Sequence, residues 1–320
     1  MQYLLLILGL FVLQGCAFIN IPLSSSTQPL NEEVLEGKGR PKILILDISG
    51  VISVKPPSKF GLKEKESTVA LIKESLDKAK EDNRIIGLIL RINSPGGTVT
   101  ASDIIYHELV RFKEETKVPV YAFIMDIGAS GGYYVATAAD KIYGHPTSVT
   151  GSIGVIAMKF NIGPLMEKIG VEDDSIKSGD KKDLMSPFRA HTPGENAIIQ
   201  AIIDRLHHRF VEVIYKERGE QLTKDEISAL ADGRIYLAQQ AFENRLIDQV
   251  GYLEDAINEI KAQQNIEEAK VVTYYRPGDY KSTIYSQLHS ESSFTELLSS
   301  GLLVPGDTSD GVKFMYLWNP

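Results

Sequence analysis

The chain carries one cysteine, Cys16, and one tryptophan in 320 residues. A single thiol excludes an intramolecular disulfide. No Cys/His spacing of the zinc type accompanies it, so neither a metal nor a cofactor is expected. Positive charge is also short: 34 Lys and Arg against 42 Asp and Glu leave a formal charge of −8. Without a basic tract, nucleic acid is not an expected partner. Hydrophobic residues make up 43% and charged residues 24%, the balance of a globular body rather than a disordered or polytopic membrane chain. The length suits about two domains, or one α/β unit of roughly 200 to 250 residues with appendages.

Charge of either sign is missing from residues 1 to 31, where Leu4 to Leu13 is an apolar run interrupted only by Gly9. That is the length of a signal-peptide core and too short to span a bilayer alone. The run ends in Leu13-Gln14-Gly15-Cys16, which resembles the lipobox of bacterial lipoproteins. This resemblance implies removal of residues 1–15 and diacylation of Cys16. An uncleaved anchor from Tyr3 to about Leu23 is the rival, since it reaches the ~20 residues of a membrane helix. Either reading tethers the body to a membrane on the extracytoplasmic, periplasmic side. Residues 16–41, polar and broken by Pro22, Pro29 and Pro41, read as a flexible linker.

From residue 42 the texture alternates. Ile43 to Ile48, Ile85 to Ile92 and Val118 to Ile124 are β-rich apolar runs, the pattern of strands covered on both faces. Between them, Val69, Ile72, Leu76 and Ala79 share one helical face, as do Ile105, Leu109 and Phe112. Such alternation predicts right-handed crossovers and an α/β fold with a largely parallel sheet and flanking helices. Further helices are expected after the capping box Thr192-Pro193-Gly194-Glu195, over 223 to 232 and 236 to 250, and from Leu253 to about Gln264. The body is read as 42–265, followed by a C-terminal extension over 266–320 with Val271 to Tyr275 as a candidate strand.

Two glycine-flanked turns follow consecutive strands, at the end where open α/β sheets place ligands. Asn93-Ser94-Pro95-Gly96-Gly97 lets backbone N–H groups face a ligand, although a tight turn alone also explains its glycines. Gly128-Ala129-Ser130-Gly131-Gly132 sets a serine at a helix start, where it is either a nucleophile beside an oxyanion site or an N-cap. A serine nucleophile needs a base. His145, His191, His207, His208 and His289 sit in turns, in mid-helix or in the tail and are poor candidates. Lysine is the other option, in Lys177-Ser178-Gly179-Asp180-Lys181-Lys182-Asp183, a cluster that also reads as a solvated loop.

Together these segments resemble the signal peptide peptidase A family, serine proteases on a ClpP/crotonase-type fold. The matching stretches are Asn93 to Gly97, Ala129 to Tyr134, Thr150-Gly151-Ser152-Ile153-Gly154-Val155 and Lys177 to Asp183, in the family's order. The resemblance implies Ser130 as nucleophile, Lys182 rather than Lys181 as general base, and Ser152 as the hydroxyl that orients the lysine. It implies the amides of Gly97 and Gly131 as the oxyanion hole. Substrates would be apolar peptides such as cleaved signal peptides, paired as an added strand beside the segment after Gly97. Similar single-length members assemble into octamers that share sites between protomers, so a homo-oligomer is expected, its number left open. Two other classes fit less well: a crotonase-like acyl-CoA enzyme, which shares the paired-amide hole, and a non-catalytic lipoprotein scaffold.

Overall fold

A computed structural model describes residues 29–55, 66–276 and 314–318. In chain order the elements are β1 (Asn31–Gly37), β2 (Lys42–Ser49), α1 (Thr68–Lys80), β3 (Ile85–Ser94), β4 (Gly96–Thr98), α2 (Val99–Thr116), β5 (Val120–Ala129), α3 (Gly131–Ala136), β6 (Lys141–Gly144), β7 (Val149–Gly151) and β8 (Ile156–Ala157). There follow α4 (Gly163–Lys168), α5 (Pro193–Arg218), α6 (Lys224–Leu230), β9 (Ile235–Leu237), α7 (Ala238–Glu243), β10 (Gln249–Val250), α8 (Leu253–Gln263), β11 (Lys270–Tyr275) and β12 (Phe314–Leu317). The signal-peptide and lipobox residues, Cys16 included, lie outside the described residues.

The main sheet runs β1-β11-β2-β3-β5-β6-β10, with β7 branching from the end of β5 to pair with β9. Within this sheet, among the described residues, only the β1–β11 and β7–β9 pairings are antiparallel. This is the largely parallel, helix-flanked sheet expected of a ClpP/crotonase-type fold. Alternation along β2 shows why the aliphatic runs are continuous: Leu44, Leu46 and Ile48 pack into one layer, Ile43 and Ile45 into the other. Under the first layer α1 buries Ile72 and Leu76, and α2 buries Ile105, Leu109 and Phe112. Burying each such side chain contributes roughly 1.5–3 kcal/mol. The opposite layer is closed by Leu253, Ile257 and Ile260 of α8. There Gly87 permits the close approach, because a Cβ on it would lie 2.4 Å from Ile260 Cγ2.

Helix ends follow the sequence signals. Ser67 caps α1 by accepting from the Ala70 amide, and the Thr192/Glu195 capping box opens α5, which ends at Gly219. Three segments differ from expectation. Residues 31–37, assigned to the linker, form β1 and pair with β11 across more than 230 positions. The stretch 236–250 is two short strands around α7, because Thr150 pairs with Tyr236 and Arg245 turns into the left-handed region at φ +58°. In the C-terminal extension the candidate strand at Val271 to Tyr275 forms as β11, while the strand not expected is β12, in a small sheet ordered β4-β12-β8.

Candidate active site

The carboxyl ends of β3 and β5 bring the two glycine turns together. Ser94 holds the first: its hydroxyl donates to Gly50 O at 2.6 Å and accepts from Gly96 N at 3.1 Å. Gly96 then takes φ +107°, open in practice only to glycine. Ile52 clamps the strand that follows, its amide donating to Gly96 O at 2.8 Å and its carbonyl accepting from Thr98 N at 2.9 Å. A Cβ on Gly97 would sit 1.9 Å from Ile52 O, so this close approach requires glycine.

Ser130 lies between β5 and α3 with φ +53° and ψ −113°. A non-glycine residue held there costs on the order of 1–3 kcal/mol, a strain that is common where a side chain must be aimed. Its amide donates to Gly151 O at 2.7 Å, and its carbonyl accepts from Tyr134 N at 2.8 Å. The side chain is 1% exposed, makes no capping bond, and its hydroxyl has no hydrogen-bond partner among the described residues. Buried hydroxyls are rarely left so, because an unmade bond costs about 1–3 kcal/mol. The observed geometry therefore argues against a capping role and for a hydroxyl kept free to react.

Glycines 97 and 131 meet next to it. A Cβ built on Gly131 would lie 3.0 Å from Gly97 N, and one on Gly96 would lie 2.7 Å from Gly131 N. The same two positions would lie 3.0 and 2.0 Å from the carbonyl oxygen of Tyr316. That residue belongs to β12, which runs antiparallel to β4 with Tyr316 opposite Gly97 and Leu317 opposite Gly96, while Met315 pairs with Ile156 of β8. An extended segment of the chain thus lies along the edge beside Ser130, with the Tyr316 carbonyl oxygen close to the Gly96 and Gly131 backbones.

The Tyr316 side chain fills an aromatic seat between α3 and α5. Its ring stacks on Tyr134 with centroids 5.1 Å apart and lies 4.6 Å from Phe210. Its hydroxyl donates to Leu206 O at 2.8 Å. Burial pushes both the Tyr134 and Tyr316 phenols well above their ordinary range, so both stay neutral donors at physiological pH. Sequence reasoning missed this contact. The only signal was the apolar run Phe314 to Trp318 at the end of a polar tail.

Ser152, the expected orienting hydroxyl, follows Gly151 at φ +50° and is buried, its amide donating to Arg234 O at 2.7 Å. Ser130, Gly97, Gly131 and Ser152 are therefore neighbours. Lys182 is not joined to them within the chain: its side chain is exposed, and no described residue hydrogen-bonds to its amine. Gly96→Ala is expected to remove most activity, since the added Cβ would stand where the Tyr316 carbonyl sits and would be strained at φ +107°. Steady-state kinetics on a short peptide, with a thermal melt beside it, check this; wild-type kcat/KM would show that no carbonyl binds there.

Comparison with known proteins agrees with this geometry. A model of peptidase family S49 matches residues 112–267. Over 256 residues, 80% of the chain, it is 37% identical to an Enterococcus faecium protein named "Putative signal peptide peptidase SppA", 73% of which is covered. It is 41% identical over 179 residues to a protein of Synechocystis whose name describes a protease, covering 56% of this chain and 63% of that one. Similarity to the chloroplastic serine protease SPPA of Arabidopsis thaliana is 32% identity over 282 residues, 86% of this chain and 40% of the relative. The motifs around Ser130, the sheet that presents them and these relatives all lead to one assignment: the chain belongs to peptidase family S49 and is a serine-type endopeptidase.

Proposed function

We propose that this peptidase cleaves apolar peptides, released signal peptides among them, with Ser130 as nucleophile and Lys182 as general base. The observation that carries this reading is the Tyr316 carbonyl, seated in an added strand where the Gly97 and Gly131 backbones converge beside a buried, unpartnered serine. In the first step the Ser130 hydroxyl oxygen adds to the scissile carbonyl carbon and its proton passes to the neutral Lys182 amine. The Gly97 and Gly131 amides donate to the resulting oxyanion. The ammonium then gives its proton to the departing amine, and water hydrolyses the acyl-serine with the same base. Ser152 holds the amine in line. No step calls for a metal or cofactor.

Pairing against β4 supplies affinity through main-chain bonds, and side-chain seats supply selection. The seat of Tyr316 favours an aromatic residue on the acyl side of the cut bond. Peptides carrying Tyr there are expected to turn over faster than matched peptides carrying Asp, read by mass spectrometry of the products. Cleavage with no dependence on that position would overturn this mode of binding.

The exposed Lys182 supports a homo-oligomer in which the base of one protomer serves the serine of the next. Apolar side chains left in solvent on the same stretch agree with this: Leu165 is 60%, Ile169 67% and Ile176 100% exposed. Mixing inactive Ser130→Ala and Lys182→Ala chains, dissociated and reassembled together, is expected to restore part of the activity. No recovery in mixed assemblies would place both groups in one protomer.

The tether belongs to the same proposal. Diacylation at Cys16 would hold the body at a membrane firmly, since each buried methylene contributes about 0.8 kcal/mol and two chains anchor where one is marginal. No helix among the described residues is long and apolar enough to cross a membrane. Intact mass of the membrane fraction is expected to show a chain starting at residue 16 with added acyl mass. A Cys16→Ser variant should lose that mass and begin at Met1. An unmodified, uncleaved wild-type chain would instead favour the anchor from Tyr3 to Leu23.

A further inference from the structure

The turn that bears Lys182 has no helix or strand of its own. Between α4 and α5 it is a run of turns linked by Lys182 N to Gly179 O, Leu184 N to Lys181 O and Ser186 N to Asp183 O. Beside the Ile162 amide, which donates to Pro187 O at 2.7 Å, a guanidinium ties this segment to the body. Arg189 donates from Nε and Nη2 to the two oxygens of Asp183 at 2.7 and 2.8 Å. It also donates from Nη1 and Nη2 to the two oxygens of Glu195 at 3.0 and 2.7 Å. Asp183 is the residue after Lys182. Glu195 is buried in the first turn of α5, where the same carboxylate closes the capping box on the Thr192 amide. Its helix is anchored in the core through Phe210, Val213 and Ile214.

We propose that Arg189 is a positioning residue for Lys182: it fixes the lysine's turn to α5 and keeps the neighbouring Asp183 carboxylate engaged. This rests on Lys182 being the base. A base lysine must shed its proton, and a free carboxylate beside it would favour the ammonium. Here Asp183 has two cations of its own, Arg189 and Lys177, and forms no ion pair with Lys182. Those contacts hold the Asp183 carboxyl far below the usual range, Arg189 acting most strongly. The Glu195 carboxyl is lowered in the same way by Arg189 and the Thr192 amide. Two carboxylates thus face two cations, and the group is neutral as a whole.

Other charges stand around it. A cleft of about 250 Å³ between α4 and the turn is lined by Glu167, Glu172 and Asp173 together with Lys177 and Arg189. On the far side His191 meets Ser186 O at 3.0 Å and Lys159 at 2.8 Å, and Asp180 and Lys181 flank Lys182 on its own turn. Among these the two-carboxylate bridge from Asp183 to Glu195 is made by Arg189. Lysine, a point charge with no planar fork, cannot replace it.

Steady-state kinetics of the full chain on one peptide, recorded against pH, tests this with Arg189→Ala, Arg189→Lys, Asp183→Asn and the double variant Arg189→Ala/Asp183→Asn. Arg189→Ala is expected to lower kcat by up to about a hundredfold at little cost in KM, as misplacing a catalytic group by about 1 Å does. It should also move the acidic limb of the profile upward by about one pH unit, as an uncompensated carboxylate would. Arg189→Lys should keep the limb near wild type while kcat stays reduced. In the double variant the limb should return. A limb that does not move in Arg189→Ala, or one that moves and is not restored by Asp183→Asn, overturns the proposal in favour of a purely structural clamp. Arg189→Lys and far-ultraviolet circular dichroism keep the test open should Arg189→Ala unfold. Lys182→Ala, run in parallel, separates the two readings: retained activity there would defeat the base assignment instead.

Discussion

Ser130→Ala is expected to abolish peptide hydrolysis, lowering kcat by at least ~10⁴-fold, while leaving the fold intact. The structural half of this expectation is as specific as the chemical half. Alanine keeps the Cβ, so the strain at φ +53° is unchanged. The hydroxyl that is lost has no hydrogen bond to lose, and removing a buried, unpaired polar group is neutral or stabilising. A melting temperature equal to wild type or a few degrees above it is therefore predicted. If Ser130 capped α3 instead, the variant would melt lower and keep its turnover in proportion to folded protein. Retained kcat in a folded variant would remove Ser130 from the reaction.

Lys182→Ala is the second large effect. A general base contributes roughly 10²- to 10⁴-fold, and that loss should appear in Lys182→Ala and not in Lys181→Ala. The two lysines are both exposed and share one turn, so a role in folding or solubility would affect them alike. Lys181 shares with Lys182 the surrounding charge but not its place before Asp183, whose carboxylate is held by Arg189 and Lys177. Equal activities of the two variants would defeat Lys182 as the general base.

Much of this was readable in the residues themselves. Continuous aliphatic runs at 43–48, 85–92 and 118–124 carry the pattern of strands covered on both faces, and they form β2, β3 and β5 at the centre of the sheet. Gly96-Gly97 and Gly131 were legible as paired glycines in turns after strands, although the atoms that leave no room for a Cβ on Gly97 and Gly131 come from Ile52, Ser102 and Tyr316. What depended on partners far away in sequence was not legible. Residues 31–37 carry three glutamates and read as spacer, yet they become a strand because β11 offers an edge. Residues 314–317 lie in a polar tail and are given their place by β4 and β8. Helical periodicity over 236–250 was overruled by pairing of Tyr236 with Thr150. The Asp183–Arg189–Glu195 bridge is spaced six and six, which matches no helical face, and sits in a turn and at a cap, where no periodicity announces it.

The most direct test is labelling with a fluorophosphonate, which forms a bond only with an activated serine, followed by mass spectrometry of the digested protein. Stoichiometric adduct on the peptide containing Ser130, absent in Ser130→Ala and formed far more slowly in Lys182→Ala, is the predicted result. Unlabelled Ser130 in active protein, or label on another serine, would contradict it.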